Sequence, residues 1–214
     1  MDILEQFKKK FARVLLTQDD TELISRMQSL IVKVDKENKR VEIHTAFDKV
    51  EYVDVAEGDL RTANVSIDIP SNKATPEELV LAHKYNDLHL AGKDDEIPYK
   101  AMMLTTVVAE AGRMVRLENA PDNFDMPLSA LAIGPVALIG MPGEPFVQIG
   151  RELKETPGWE LVLPTCITNG YMSYFPMKDA YDEGGYEARS SSFKSGVAEL
   201  IIEVGKDMLN HLRK

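Results

Sequence analysis

Cysteine is nearly absent from this chain: Cys166 is the only one in 214 residues. A single thiol excludes an intrachain disulfide, a thiolate zinc cluster and a CxxC redox pair, so folding does not depend on oxidation. Histidine is scarce too, with four residues, His44, His83, His89 and His211. His83 and His89 share a helical stretch but lack the i, i+4 spacing that would align two imidazoles as metal ligands. None of the four has a ligand-like setting, and all read as structural or solvated. Positive charge is in deficit, with 25 Lys and Arg against 35 Asp and Glu and a net charge of -10. That balance argues against a nucleic-acid binder, which needs a basic face to track phosphates, and favours a neutral or cationic partner. Long apolar runs are missing as well. No segment reads as a bilayer span, and Met1-Asp2-Ile3-Leu4-Glu5 lacks the basic-then-apolar order of a secretory signal, so the chain as it stands reads as cytoplasmic.

What is present is a chain long enough, and at 44% hydrophobic apolar enough, to bury a core as one domain over residues 1–214. Ile3, Leu4, Phe7, Phe11, Val14 and Leu15 recur at helical spacing, with Lys8-Lys9-Lys10 as a solvated edge. Asp19-Asp20-Thr21-Glu22 caps a second helical stretch through Leu23, Ile24, Met27, Leu30 and Ile31. From Arg40 the pattern becomes extended, and Val65-Ser66-Ile67-Asp68-Ile69 alternates as a half-buried strand ending at Pro70. Thr75-Pro76-Glu77-Glu78 combines an N-cap, a first-turn proline and a capping-box glutamate, which predicts a helix from Pro76 to Ala91 stopped by Gly92. A further helix spans Pro98 to Leu117, and Asn119 to Pro127 reads as loop. Leu131-Ala132-Ile133 and Val136-Ala137-Leu138-Ile139 flank Gly134-Pro135 as two buried strands with a tight turn. Met141 to Pro145 then opens a helix through Leu153, Leu161 to Ile167 reads as another buried strand, and Val197 to Leu212 forms a last helix. The expected fold class is mixed α/β (α+β). A central sheet near Leu131, Val136 and Leu161 is covered by the helices at Pro76–Ala91, Pro98–Leu117 and Val197–Leu212.

Three polar loops at element ends are the places for chemistry: Pro142-Gly143-Glu144, Asn169 to Tyr174, and Gly184-Gly185-Tyr186-Glu187. A carboxylate and a tyrosine phenolate are oxygen donors suited to a hard metal. Ordinary roles are open to the same residues: Glu144 as negative charge near a helix N-terminus, the tyrosines as half-buried aromatics, and the paired glycines as a turn.

The order Pro142-Gly143-Glu144, Asn169-Gly170-Tyr171-Met172-Ser173-Tyr174 and Gly184-Gly185-Tyr186-Glu187-Ala188 resembles the neutral/alkaline ceramidase family. The resemblance is strongest from Pro142 to Arg189 and extends more loosely from about Ala12 onward. It implies that Glu144 and Tyr174 coordinate a catalytic zinc, and that Tyr186 donates to the oxyanion formed at the scissile amide. The cofactor it implies is zinc, and the activity is hydrolysis of an N-acyl amide by a zinc-activated water. The family's Thr-His-Thr-His-Ser-Gly-Pro-like block and its serine have no match here, and Ser190-Ser191-Ser192 is not such a block. The expectation is therefore the C-terminal part of such a catalytic domain, inactive alone. Its implied partners are the missing N-terminal half or a complementary chain, an N-acyl amide substrate and no nucleic acid, with homo-oligomerisation left open. The alternative is a noncatalytic binding or oligomerisation module that has lost the metal site.

Overall fold

The structure, a computed structural model, describes residues 33–35, 40–42 and 60–213. The chain divides into two compact units, Met1–Asp54 and Val55–Lys214. In the first, β1 (Lys33–Asp35) pairs antiparallel with β2 (Arg40–Glu42), Val34 opposite Val41. The helices expected over Ile3 to Leu15 and Leu23 to Ile31, the extended residues from Ile43 to Val55, and His44 lie outside the described residues.

The second unit is α+β, as expected, with a four-stranded mixed sheet and flanking helices. The sheet order is β3 (Leu60–Pro70), β4 (Asn123–Ile133), β5 (Val136–Gly140) and β7 (Leu161–Thr165). The first three pair antiparallel, and β7 lies parallel to β5. Gly134 at φ 54° adopts the left-handed region that closes β4 and β5 through a two-residue turn, Ile133 opposite Val136. β4 begins at Asn123, so Pro127 falls inside a strand where the sequence reads as loop. The strand tolerates it because β5 pairs only with Ser129 to Ile133. At Pro127 the ladder has β3 on one side alone, where a missing N–H need not break a bond.

Alternation sorts the sheet into two faces. Ile67, Ile69, Met126, Leu128, Ala130, Ala132, Ala137, Ile139 and Val162 form the core face. Over it lie α6 (Val197–Leu212), through Ile201, Met208 and Leu209, and α3 (Val147–Lys154), through Ile149 and Leu153. The opposite face carries two rows of register partners, Leu60, Ile133, Val136, Leu161 and Thr62, Leu131, Leu138, Leu163. These are exposed or half-buried, so β7 is not the fully buried strand its composition implies.

α1 (Pro76–Leu90) starts from the expected capping box, with Thr75 Oγ1 accepting from the Glu78 amide at 3.3 Å and Glu78 accepting from the Thr75 amide at 2.8 Å. α2 (Ala101–Leu117) starts after the extended Lys100, later than Pro98. Their apolar faces meet in a separate cluster of Ala82, Tyr85, Ile97, Val107 and Ala111 instead of joining the sheet core. α1 buries only Ala82 and Tyr85 and leaves Val80, Leu81 and Leu90 exposed, so its pattern does not select a partner and tertiary packing does.

Candidate functional site

Past the C-terminal ends of β5 and β7, the chain forms a second, very short sheet of β6 (Glu144–Pro145) and β8 (Tyr174–Phe175), paired in parallel. The carboxyl ends of parallel strands are the usual location of ligand sites in open sheets. Glu144 and Tyr174 are register partners, so both side chains leave the ribbon on one side. The Glu144 amide donates to the Ser173 carbonyl at 2.9 Å, and the Phe146 amide to the Phe175 carbonyl at 3.2 Å. The helix expected to open around Glu144 begins only at Val147, with Phe146 as N-cap, so Glu144 is strand and not a helix-terminal charge.

Tyr174 is held from both sides of its backbone. Its carbonyl accepts from Ser191 Oγ at 2.9 Å, and the preceding Ser173 Oγ accepts from the Ser192 amide at 3.3 Å. The Tyr186 ring meets that of Tyr174 edge-on, centroids 6.1 Å apart. Tyr186 opens α5 (Tyr186–Ser190), which follows α4 (Lys178–Glu183). The three residues singled out in the sequence thus lie together. The loop feeding Tyr174 is strained: Ile167, Asn169 and Ser173 have φ of 50°, 60° and 85°. Such outliers persist only where the surroundings hold them, and they collect at functional sites.

The local field is anionic. Burial, then the hydrogen bond and charge of Glu144, push the Tyr171 phenol up to about 12. Burial, followed by the charges of Glu144, Tyr186 and Glu187, raises Tyr174 as well. Both shifts favour the protonated phenol, which can donate a hydrogen bond to developing negative charge. Tyr171, Tyr174 and Tyr186 open onto a cavity of about 800 Å³ whose other walls are α2, the segment after it, Phe124, and Asn86 and His89 of α1.

Sequence reasoning missed what fixes α5. Arg113, 4% exposed on α2, donates through Nε to the Arg189 carbonyl at 2.9 Å and through Nη1 to the Asn72 carbonyl. Glu110 accepts from Arg189 through both Nε, at 2.9 Å, and Nη2. Burial, opposed mainly by Glu110, lowers the Arg113 pKa. The available signal was the position of Arg113, seven residues after buried Thr106 and four before buried Leu117 on the same helix. Ser191, fully buried, was missed as well and carries no sequence signal: its oxygen also accepts from Tyr181 at 3.2 Å.

Whether these residues fit zinc is a question of donors. Catalytic zinc takes three protein ligands plus an open position. Glu144 and Tyr174 supply two oxygens, and the described residues contain no group of three or more His, Cys, Asp or Glu able to hold a metal. His83 pairs with Glu118 at 3.0 Å, His89 with Asp94 at 2.8 Å, and His211 Nδ1 with the Asp207 carbonyl at 2.8 Å. The described residues do not make up a zinc site by themselves.

Fold and site together define an α+β unit with a carboxylate and phenol cluster on strand-end loops. No protein-family model matches the chain, and no curated protein does. Among solved structures, the neutral ceramidase from Pseudomonas aeruginosa is 25% identical with a TM-score of 0.39, over 44% of this chain and 16% of that one. A ceramidase complexed with C2 is 24% identical with a TM-score of 0.39, over 44% and 15%. The chain spans less than a fifth of either neighbour, and the likeness decides nothing about individual residues. No helix among the described residues is long and apolar enough to cross a membrane.

Proposed function

We propose that this chain supplies the carboxylate and tyrosine half of a ceramidase-like amidohydrolase site. Glu144 and Tyr174 are the two oxygen ligands of a zinc whose nitrogen ligands come from a complementary polypeptide. Tyr186 binds the substrate carbonyl and donates its phenolic proton in a hydrogen bond as the oxyanion develops. The observation that carries this reading is the register pairing of Glu144 with Tyr174 beside the Tyr186 ring. Glu144 and Tyr174 leave a short ribbon on one side and the Tyr186 ring packs edge-on against Tyr174, which supports the single centre that the Pro-Gly-Glu, Asn-x-Tyr-x-x-Tyr and Tyr-Glu-Ala resemblance implies. The apolar outer face of the sheet offers a surface on which the complementary half would pack.

The test is complementation. The chain is co-expressed with a histidine-bearing polypeptide encoded next to it, and fatty-acid release is measured from N-acyl amides including ceramide. The chain alone should be silent and the pair active, with Glu144→Gln and Tyr186→Phe each reducing the rate at least about 100-fold. Wild-type rates in both variants would sink the assignment. A noncatalytic binding module is the second reading, favoured by the lack of a third metal donor among the described residues. It predicts that no complementing polypeptide restores hydrolysis.

A further inference from the structure

The cavity beside the three tyrosines has Glu144 and Glu187 behind its phenols, but its own lining is different in kind. The chain carries 35 acidic and 25 basic residues, yet no Asp or Glu lines the cavity among the described residues, whereas Arg116 and His89 both do. Arg116 is exposed, and its Nη2 reaches only Ser192 Oγ, at a long 3.4 Å. Among the described residues it forms no ion pair, whereas Arg113 and Arg189 nearby both meet Glu110. His89 is already held by Asp94, which leaves Arg116 as the cavity's cation without a carboxylate partner. Beside it the wall is apolar, built from Val108, Ala109, Leu117, Ala120 and Phe124. Ser192, next to Arg116, is bonded through its amide to Ser173, the residue before Tyr174. One guanidinium, one apolar wall and the phenols therefore share a single space of about 800 Å³, within the range of small-molecule sites.

We propose that this cavity binds an amphiphile whose chain lies on the apolar wall and whose carboxylate is taken by Arg116. This makes N-acyl amino acids the substrate class of the site. The inference rests on the amide-hydrolysing reading for the choice of an N-acyl linkage, while the carboxylate recognition rests on the cavity alone. A guanidinium binds carboxylate in a planar, two-pronged geometry that a neutral hydroxyl head cannot use. Chain burial is common to charged and neutral amphiphiles, so the head alone discriminates.

The experiment is calorimetric titration of the whole chain, below micelle-forming concentrations, with N-dodecanoylglycine, dodecanoic acid and the neutral N-dodecanoylethanolamine. N-dodecanoylglycine should bind about tenfold tighter than the ethanolamide, corresponding to one charge-assisted contact at a solvent-accessible site. Arg116→Gln should erase that difference, and Arg116→Lys should keep part of it, which separates loss of charge from loss of fold. Equal affinities for the glycine and ethanolamine compounds, or a preference that survives Arg116→Gln, would overturn the proposal. Dodecanoate binding as tightly as N-dodecanoylglycine would reassign the site to a free fatty acid and overturn the N-acyl amino acid class. Binding does not require turnover, so failed complementation with intact Arg116-dependent binding would strike the amidohydrolase reading and leave carboxylate recognition standing.

Discussion

Replacing Gly143 by Ala puts one methyl group at the closest backbone approach in the site. A Cβ there would lie 2.4 Å from the Ser173 carbonyl oxygen, 2.6 Å from Phe175 Cζ and 3.0 Å from Phe175 Cε2. Neither neighbour can yield easily. Ser173 O is backbone and accepts the Glu144 amide, and Phe175 is fully buried against Phe193, centroids 5.6 Å apart. Overpacking of this kind costs about 1–3 kcal/mol, and loss of the Glu144–Ser173 hydrogen bond adds about 1 kcal/mol, giving about 2–4 kcal/mol. For a unit of this size that lowers Tm by about 10 °C. Urea unfolding should show a lower midpoint at an unchanged slope, since the methyl alters stability and not the surface exposed. The site should respond as well. As β6 lifts from β8, Glu144 withdraws from Tyr171, and that phenol, which Glu144 helps push up to about 12, should move lower in an alkaline absorbance titration. Gly185→Ala is the control, because its Cβ would meet nothing closer than Glu187 Oε2 at 3.9 Å at an ordinary φ of -66°. The N-cap preference for Gly over Ala and the unfolded-chain entropy lost with the glycine oppose each other, so stability should change by no more than about 0.5 kcal/mol. If Gly143→Ala unfolds at the wild-type midpoint with the tyrosine titration unmoved, the close packing of β6 on β8 is wrong.

Glu144→Gln should lower the Tyr171 pKa, because it removes the negative charge that favours the protonated phenol. The linkage has a definite sign. The folded pKa exceeds the unfolded one, so the contribution of Tyr171 is complete below about 10 and is lost as pH rises through about 12, which urea midpoints measured across that window should show. Arg113→Met removes the buried cation that ties Asn72 and Arg189 to α2, and should destabilise by about 2–4 kcal/mol in urea unfolding. Thr75→Ala breaks the capping box of α1 and should cost about 1 kcal/mol, read in the same way. Ile167→Gly should stabilise by about 0.5–1 kcal/mol, because an exposed β-branched residue held at φ 50° gives up backbone strain and little burial.

What was legible before folding was local. The capping box at Thr75, the period of Val197 to Leu212 and the alternation from Val65 to Ile69 each specify an element through neighbours in the chain, and each is present in the structure. The hairpin at Gly134-Pro135 was legible for the same reason, since turn chemistry acts over two residues. The helix begun too early at Met141 and the loop that proved to be β4 around Pro127 failed where a distant strand overrode local preference. The order of Glu144, Tyr174 and Tyr186 along the chain named a candidate chemistry.

The sequence by itself therefore determined most elements and the fold class, through short-range periodicity and turn geometry, while the residues worth testing came from a resemblance carried by short motifs. Tertiary structure alone decided that β6 and β8 pair in the register that sets Glu144 beside Tyr174, that α1 and α2 build their own cluster, and that Arg113 fastens α5. It also decided that an anionic chain keeps one cavity free of lining carboxylates among its described residues. Those outcomes rest on contacts between residues tens of positions apart, whose energies arise only when the chain has closed on itself.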